Sequence, residues 1–321
     1  MKNVLLTGAN GFIGSAIMHR LQGDAYRVRG AVRANRRAVT DNGEYIKIEG
    51  LGKDSDWGDA LDGIEVVVHT AARVHIMHDS ATNPLKQYLE VNLEGTLNLA
   101  KQAAAAGVRR FIFISSIKVN GEQTMPGSAF AADDEPAPVD PYAISKLKAE
   151  QGLCELATET GMEVVIIRPP LVYGPGVEAN FQRMIRWIDR GVPLPLGSIH
   201  NKRSLVALEN LVSLIVTCIE NTAAANQIFL IGDDEDLSTT ELLQRIASAL
   251  GKPARLFPFP TYLINFAASL LGKRRMAQRL FGSLQVDISK ARKLLDWRPC
   301  VSVDEGLQQV ADDFKKRFDG L

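Results

Sequence analysis

Thr7-Gly8-Ala9-Asn10-Gly11-Phe12-Ile13-Gly14 is the stretch that decides the fold. Val4, Leu5 and Leu6 before it form a short apolar run of the kind a buried parallel strand needs. Phe12, Ile13, Ala16, Ile17 and Leu21 then recur at helical spacing, so the glycines fall on a strand-to-helix turn. Glycines there let the backbone approach a pyrophosphate, and a helix N-terminus offers free N–H groups with positive dipole character. The spacing, G-x-x-G-x-x-G, is one residue wider at its start than the G-x-G-x-x-G fingerprint. In this context it predicts a dinucleotide-binding loop made by Gly8, Asn10, Gly11, Phe12, Ile13 and Gly14.

Working outward, strands alternate with helices. Tyr26–Val32, Tyr45–Ile48, Val66–His69, Phe111–Ser115 and Val164–Arg168 read as strands; Asn83–Ala106 and Pro141–Thr160 are the clearest helices between them. Such alternation predicts an α/β fold, a doubly wound parallel sheet with ligands outside the carboxyl ends of its strands. After Arg168 the texture changes to turns rich in Pro and Gly. Shorter helices follow over Glu209–Glu220, Thr239–Leu250, Ser289–Leu295 and Asp304–Phe318, the pattern of a smaller cap. The expected division is a dinucleotide-binding domain over 1–170 and a mainly substrate-binding one over 171–321.

The 321 residues carry 37 basic and 37 acidic side chains, so no global field recruits nucleic acid or an anionic membrane. Cys154, Cys218 and Cys300 lack metal-ligand spacing and read as thiols of a reducing compartment. No leader precedes the first strand and no stretch is long enough to span a bilayer, so the expected location is cytoplasmic. Tyr262–Leu271, followed by Lys273, Arg274, Arg275 and Arg279, reads as a core helix with a solvated basic turn; contact with a membrane surface is its alternative.

The end of the second strand bears on the dinucleotide. An NAD site usually places Asp or Glu there, and an NADP site uses a nearby Arg. Here Val28-Arg29-Gly30-Ala31-Val32-Arg33 carries no acid, and Arg36 and Arg37 follow. Arg33 and Arg36 are suited to a 2′-phosphate. NADP(H) is therefore favoured, with NAD(H) left open.

Asp140-Pro141 supplies a cap and a first helical residue for the helix carrying Tyr142-Ala143-Ile144-Ser145-Lys146. Positions i and i+4 share a face, so the phenol and the ammonium point into one cleft. The cation is expected to lower the tyrosine pKa towards a range useful for proton transfer. Ser115 and Ser116 emerge where the fifth strand ends, placed to hydrogen-bond a substrate oxygen.

These motifs, with His69-Thr70-Ala71-Ala72, Val91-Asn92-Leu93-Glu94-Gly95-Thr96 and Arg168-Pro-Pro-Leu-Val-Tyr-Gly-Pro-Gly176, resemble the extended short-chain dehydrogenase/reductases over nearly the whole chain. The likeness is to their nucleotide-sugar epimerase, dehydratase and reductase branch. It implies a Rossmann-type sheet with a smaller α/β substrate-binding cap, whose late segments return to the first lobe. It also implies Ser116, Tyr142 and Lys146 as the catalytic trio, with Lys146 on the nicotinamide ribose and Asn92 as support. Ala71, Ala72, Arg73 and Pro169 would line the cofactor. A UDP-sugar is the implied substrate, held by Ser115, Ser116, Asn180, Phe181, Pro195, Leu196 and Arg203. The second diphosphate arginine of the family falls at Ala277, so Arg275 or Arg279 would substitute. A homodimer through the two long helices is implied as well.

Dehydratases of this family follow the catalytic Ser or Thr with Asp-Glu; here Ile117 and Lys118 stand there, which argues against dehydration. A 4-epimerase, normally with tightly held NAD, and a 4-ketoreductase consuming NADH or NADPH both remain. The missing acid after the second strand favours the reductase. So does the run Ser115-Ser116-Ile117-Lys118-Val119-Asn120-Gly121-Glu122, similar to reducers of UDP-4-keto-6-deoxy-N-acetylhexosamines in bacterial surface-polysaccharide synthesis. In either case Ser116 and Tyr142 bond the C4 oxygen and Tyr142 moves its proton, its charge offset by Lys146. A redox sensor would need the glycine loop but not the complete Ser/Tyr/Lys set.

Overall fold

A computed structural model describes residues 1–22, 25–33, 44–74, 84–125, 127–260, 262–264 and 280–318. Arg36, Arg37, Arg275, Ala277, Arg279 and most of the Tyr262–Leu271 stretch with its basic tail lie outside the described residues.

Seven parallel strands form the large sheet: β1 (Lys2–Thr7), β2 (Tyr26–Arg33), β3 (Glu44–Ile48), β4 (Val66–His69), β5 (Arg110–Ile114), β6 (Glu163–Arg168) and, from late in the chain, β9 (Gln227–Leu230). Their order in space is β3-β2-β1-β4-β5-β6-β9. The order reverses between β1 and β4, the switch point at which doubly wound sheets open a ligand crevice. Registers are continuous across it: Thr7 pairs with His69, and His69 with Phe113.

The apolar runs are continuous because both faces of the sheet are covered. Val66, Val68, Ile112 and Ile114 turn into one core with Ile17, Leu211 and Ile215. Val67, Phe111 and Phe113 turn into the other with Leu99, Ala149 and Leu153. The helices over these faces are α1 (Phe12–Leu21), the short α2 (Gly58–Leu61), α4 (Thr96–Ala105), α5 (Pro141–Thr160) and α7 (Leu208–Glu220). Before α4, α3 (Pro84–Tyr88) runs through a π-helical turn at Leu89–Gly95, so the helix expected over Asn83–Ala106 is continuous over Pro84–Ala105, locally unwound, with Asn83 outside the described residues.

The cap holds a three-stranded sheet, β7 (Leu171–Tyr173), β8 (Arg203–Ala207) and β10 (Asp236–Leu237), packed with α6 (Ala179–Asp189), α8 (Thr239–Leu250) and α10 (Val303–Phe318). The chain does not leave the large sheet at residue 170. β9 returns to pair with β6, and Ala291 and Leu295 of α9 (Ser289–Leu295) enter the core of the first lobe. Buried polar contacts fasten the lobes. The Tyr173 hydroxyl donates to Asp233 Oδ2 at 2.8 Å, and Asn210 of α7 donates to Asp233 Oδ1 at 2.7 Å and to the Val301 carbonyl at 2.9 Å. Among the described residues no helix is long and apolar enough to cross a membrane, and no cluster of His, Cys, Asp or Glu is arranged to hold a metal ion.

Candidate active site

Because the strands of the large sheet are parallel, β1, β4, β5 and β6 all deliver their following residues to one edge. The glycine loop, Thr70–Arg73, Ser115–Ser116 and Pro169 therefore meet there.

At the first of these, Gly8 has φ +68°, a backbone state that favours glycine. A side chain on it would press on Thr70 Oγ1 at 2.8 Å; one on Gly14 would meet the Gly8 carbonyl oxygen at 2.0 Å. The Gly11 N–H donates to that carbonyl at 2.9 Å, closing the turn. No side chain caps α1 and no acid stands in its first turn. The loop thus presents helix N-terminal N–H groups with no side chain between them and a ligand, which fits a pyrophosphate. Asn10, Phe12 and Ile13 are half-buried on this turn.

Beneath the loop, His69 is fully buried between Thr7 Oγ1 at 2.7 Å and Thr96 Oγ1 at 3.0 Å, and stacks on Phe113. Burial, aided by the Lys146 charge, holds its imidazole down to about 3, so it is a neutral strut. The sequence reading gave Thr7 and Thr96 no part here; short polar residues at strand and helix ends carry little signal by themselves.

Asn92 lies in the π-helical turn, completely buried. Its Oδ1 accepts from the Arg73 N–H at 2.8 Å, and its Nδ2 donates to the Arg73 carbonyl at 3.1 Å and to Ser145 Oγ at 3.0 Å. Ser145 Oγ in turn donates to the Tyr142 carbonyl at 2.7 Å. Asn92 therefore couples the loop after β4 to the first turn of α5. Ala71 and Ala72 are half-buried in that loop, and Arg73 lies 5.8 Å from the centre of the Tyr88 ring.

Asp140 caps α5, its Oδ1 accepting from the Ala143 N–H at 2.7 Å, with Pro141 as first helical residue. This sets Tyr142 and Lys146 one turn apart on one face. The Lys146 ammonium donates to the Ile114 carbonyl at 2.8 Å and sits 4.2 Å from the centre of the Phe113 ring. Burial brings its pKa down to about 7, with Glu150 pulling the other way. Tyr142 departs from expectation. Its phenol is pushed up, first by burial and then by Asp140 and Tyr88, and not drawn down by the lysine. The Tyr88 ring meets it edge-on at 6.1 Å.

Ser116 is half-exposed where the chain leaves β5, and its Oγ accepts from the Lys118 N–H at 3.3 Å. Ser115 turns inward. It is buried, and its hydroxyl donates to Glu150, which Arg168 grips through Nε at 3.1 and 3.2 Å and through Nη2 at 2.5 Å. Arg168 Nη1 also donates to Asn120 Oδ1 at 3.0 Å. The structure gives the Ser115 hydroxyl to this network, while Ser116 stays half-exposed outside it. Pro169 is buried, and its carbonyl accepts from the Ile117 N–H at 3.0 Å.

The residues expected on the sugar-nucleotide side are scattered. Asn180 is exposed at the start of α6 and Pro195 is half-buried. Phe181 and Leu196 are buried in the cap core, Phe181 stacked on Tyr173 with ring centres 5.6 Å apart. Arg203 is half-buried and donates to the Gly282 carbonyl at 3.0 Å. On the dinucleotide side, Arg33 ends β2 exposed, and no acid stands on β2.

Residues 4–232 match the family model described as the NAD dependent epimerase/dehydratase family. The chain belongs to that family. This epimerase/dehydratase is 48% identical over 316 residues to a UDP-glucose 4-epimerase of Vibrio cholerae, covering 98% of the chain and 95% of the relative. It is 27% identical over 285 residues to the N-acetyl-alpha-D-glucosaminyl-diphospho-ditrans,octacis-undecaprenol 4-epimerase of Escherichia coli O157:H7, covering 85% and 82%. Among solved structures it is similar to a UDP-glucuronic acid 4-epimerase from Bacillus cereus in complex with NAD, with a TM-score of 0.80, 25% identity and coverage of 99% and 98%. This family member is a nucleotide-sugar enzyme, an epimerase or an oxidoreductase that uses a nicotinamide dinucleotide.

Proposed function

We propose that this enzyme interconverts the C4 epimers of a UDP-hexose, with NAD held in the glycine loop throughout. This revises the preference drawn from the sequence, where the missing acid after β2 favoured a net ketoreductase. The observation that carries it is the 48% identity to a UDP-glucose 4-epimerase along 98% of the chain; it is supported by Lys146 of α5 reaching the Ile114 carbonyl, two residues before Ser116. The relative that acts on an undecaprenyl-linked N-acetylglucosamine supports the same bond chemistry in surface-polysaccharide synthesis.

Gly8, Gly11 and Gly14 would hold the pyrophosphate, Ala71, Ala72 and Pro169 the nicotinamide half, and Lys146 its ribose. Bound, the dinucleotide supplies reversible two-electron chemistry at the sugar's C4. Ser116 and Tyr142 hydrogen-bond the C4 oxygen. Tyr142 takes the C4 hydroxyl proton as C4 is oxidised and returns it after the sugar has turned its other face. Lys146 offsets the phenolate charge. The phenol is pushed up in the free enzyme, so its ionised form would depend on the Lys146 ammonium and on the positive charge that a bound oxidised dinucleotide would bring.

Arg33 at the end of β2, with no acid on that strand, favours a second reading: a 4-ketoreductase using NADPH. Incubating the purified protein with UDP-glucose, and separately with UDP-N-acetylglucosamine, without added cofactor decides between them. Appearance of the galacto isomer in the proton spectrum, with NAD released on denaturation, is the expected result. No interconversion, together with stoichiometric loss of NADPH on adding a UDP-4-keto-6-deoxy-N-acetylhexosamine, would replace the epimerase with the reductase. The variant Tyr142→Phe loses turnover by at least about a hundredfold in either case.

A further inference from the structure

Two residues past Ser116, Lys118 touches Ser116 itself and Asp140, the cap of the helix that carries Tyr142. Its backbone N–H donates to Ser116 Oγ at 3.3 Å. Its ammonium closes on Asp140 Oδ2, while Asp140 Oδ1 caps the helix that begins with Pro141 and Tyr142. Lys118 is 27% exposed and Asp140 only 8% by side chain, so the pair is shielded on the acid's side. The short 3₁₀ turn that carries Lys118 is itself held by Ile117 N–H on the Pro169 carbonyl and Ala137 N–H on the Val119 carbonyl, both at 3.0 Å.

We infer that Lys118 is a positioning residue of the reaction: through Asp140 it locks the Ser116 turn to the first turn of the Tyr142 helix and supplies the counter-charge that lets Tyr142 ionise. This rests on the assignment of Ser116 and Tyr142 as the reacting pair.

The argument is electrostatic as well as mechanical. A carboxylate two residues before the phenol, in a partly dry environment, opposes a second negative charge there. Asp140 is indeed among the groups pushing Tyr142 up, after burial and ahead of Tyr88. Among the described residues, the other charged or titratable groups on the elements around it include Lys146 on its own helix, Tyr88 with Arg73 over its ring, and the Glu150–Arg168 pair deeper in the fold. Glu90 and Glu94 of the π-helical turn are exposed, where solvent screens them. Lys118 meets the Asp140 carboxylate directly.

The test is the pH dependence of kcat for epimerisation, which rises with pH as the Tyr142 phenolate that begins each turnover forms. Lys118→Met takes the Lys118 charge away from Asp140 and moves that limb up by about one pH unit. Asp140→Asn, which still caps the helix, leaves the lysine uncompensated and moves it down by a similar amount. The double variant lies near the wild type, and Lys118→Arg retains the wild-type limb. A purely mechanical link would lower kcat in both single variants with their limbs unmoved. Limbs that coincide with the wild type, or that move in the same direction in both single variants, overturn the inference. Tyr142→Phe separates the two ideas: if it keeps full turnover, the assignment of the reacting pair fails first; if it is dead and the limbs do not split, only the role of Lys118 fails.

Discussion

Glu150 is one helical turn beyond Lys146 and enclosed by Ser115 and Arg168, all of them buried. A carboxylate and a guanidinium so far from water persist only as a hydrogen-bonded pair, and removing one partner strands the other's charge. Glu150→Gln is therefore expected to cost roughly 3–5 kcal/mol in urea unfolding, far more than the loss of a surface ion pair. Lys146 gives a pH-dependent counterpart. Its pKa of about 7 in the folded protein lies below the 10.5 of an ordinary lysine. Below pH 7 both states hold the proton and the native protein bears the full cost of a buried ammonium. Between about 7 and 10.5 the unfolded chain binds the proton and the native one does not, so stability climbs with pH across that window. In the cofactor-free protein Lys146→Met should thus be more stable than the wild type at pH 6, by roughly 2–4 kcal/mol, with the gap narrowing by pH 9. An equal gap at both pH values would contradict this. The sequence pattern singled out Tyr142 and Lys146, because an i, i+4 pair after an Asp cap and a Pro at the first helical position is visible in one dimension. It said nothing of Glu150, which looks like any other charged helix residue until Arg168 is folded against it.

Elements were legible where periodicity was strong. The strands β1 to β6 and helix α5 stand where the apolar runs and caps put them, within a residue or two at their ends. The four-residue β9 and the three-residue β7 were not anticipated, because runs so short carry no period of their own and exist only through pairing with β6 and β8. α6 was also missed: its apolar stripe begins just after a turn-rich tract that read as loop. The π-helical turn at Leu89–Gly95 could not be read at all. Its consequence is local, since it is where Asn92 reaches Arg73 and Ser145 at once. Asn92→Ala removes the bridge between the loop after β4 and α5 while leaving the reacting groups in place. A displacement of even about 1 Å there costs on the order of a hundredfold in kcat, so kcat should fall by roughly ten- to a hundredfold with KM little changed. A variant whose KM rises while kcat holds would assign Asn92 to binding instead.

At the scale of the molecule, the sequence indicated two lobes but not the way they are sewn together, because the joint is made of polar residues from distant parts of the chain. Asn210 of α7 is its hub. It donates to Asp233 and to the Val301 carbonyl, and its Oδ1 accepts from the Cys300 and Val301 N–H groups at 2.7 and 3.0 Å. Asp233 also receives the Tyr173 hydroxyl and the Ala207 N–H, and burial pushes its carboxyl up. α7 packs with α1 behind the glycine loop, whereas Val301 leads into α10 of the cap. Cutting this hub should loosen the cap on the first lobe without touching the dinucleotide. Asn210→Ala takes the acceptor from two half-buried N–H groups and a donor from the Asp233 carboxylate, at a cost of about 1–3 kcal/mol. The expected signature is a lower melting temperature, an unchanged dinucleotide content per protein chain, and a several-fold rise in KM for the UDP-sugar with kcat retained. Loss of the dinucleotide instead would mean that the joint holds the glycine loop and not the cap. Unchanged KM with the same thermal loss would make Asn210 a stability device alone.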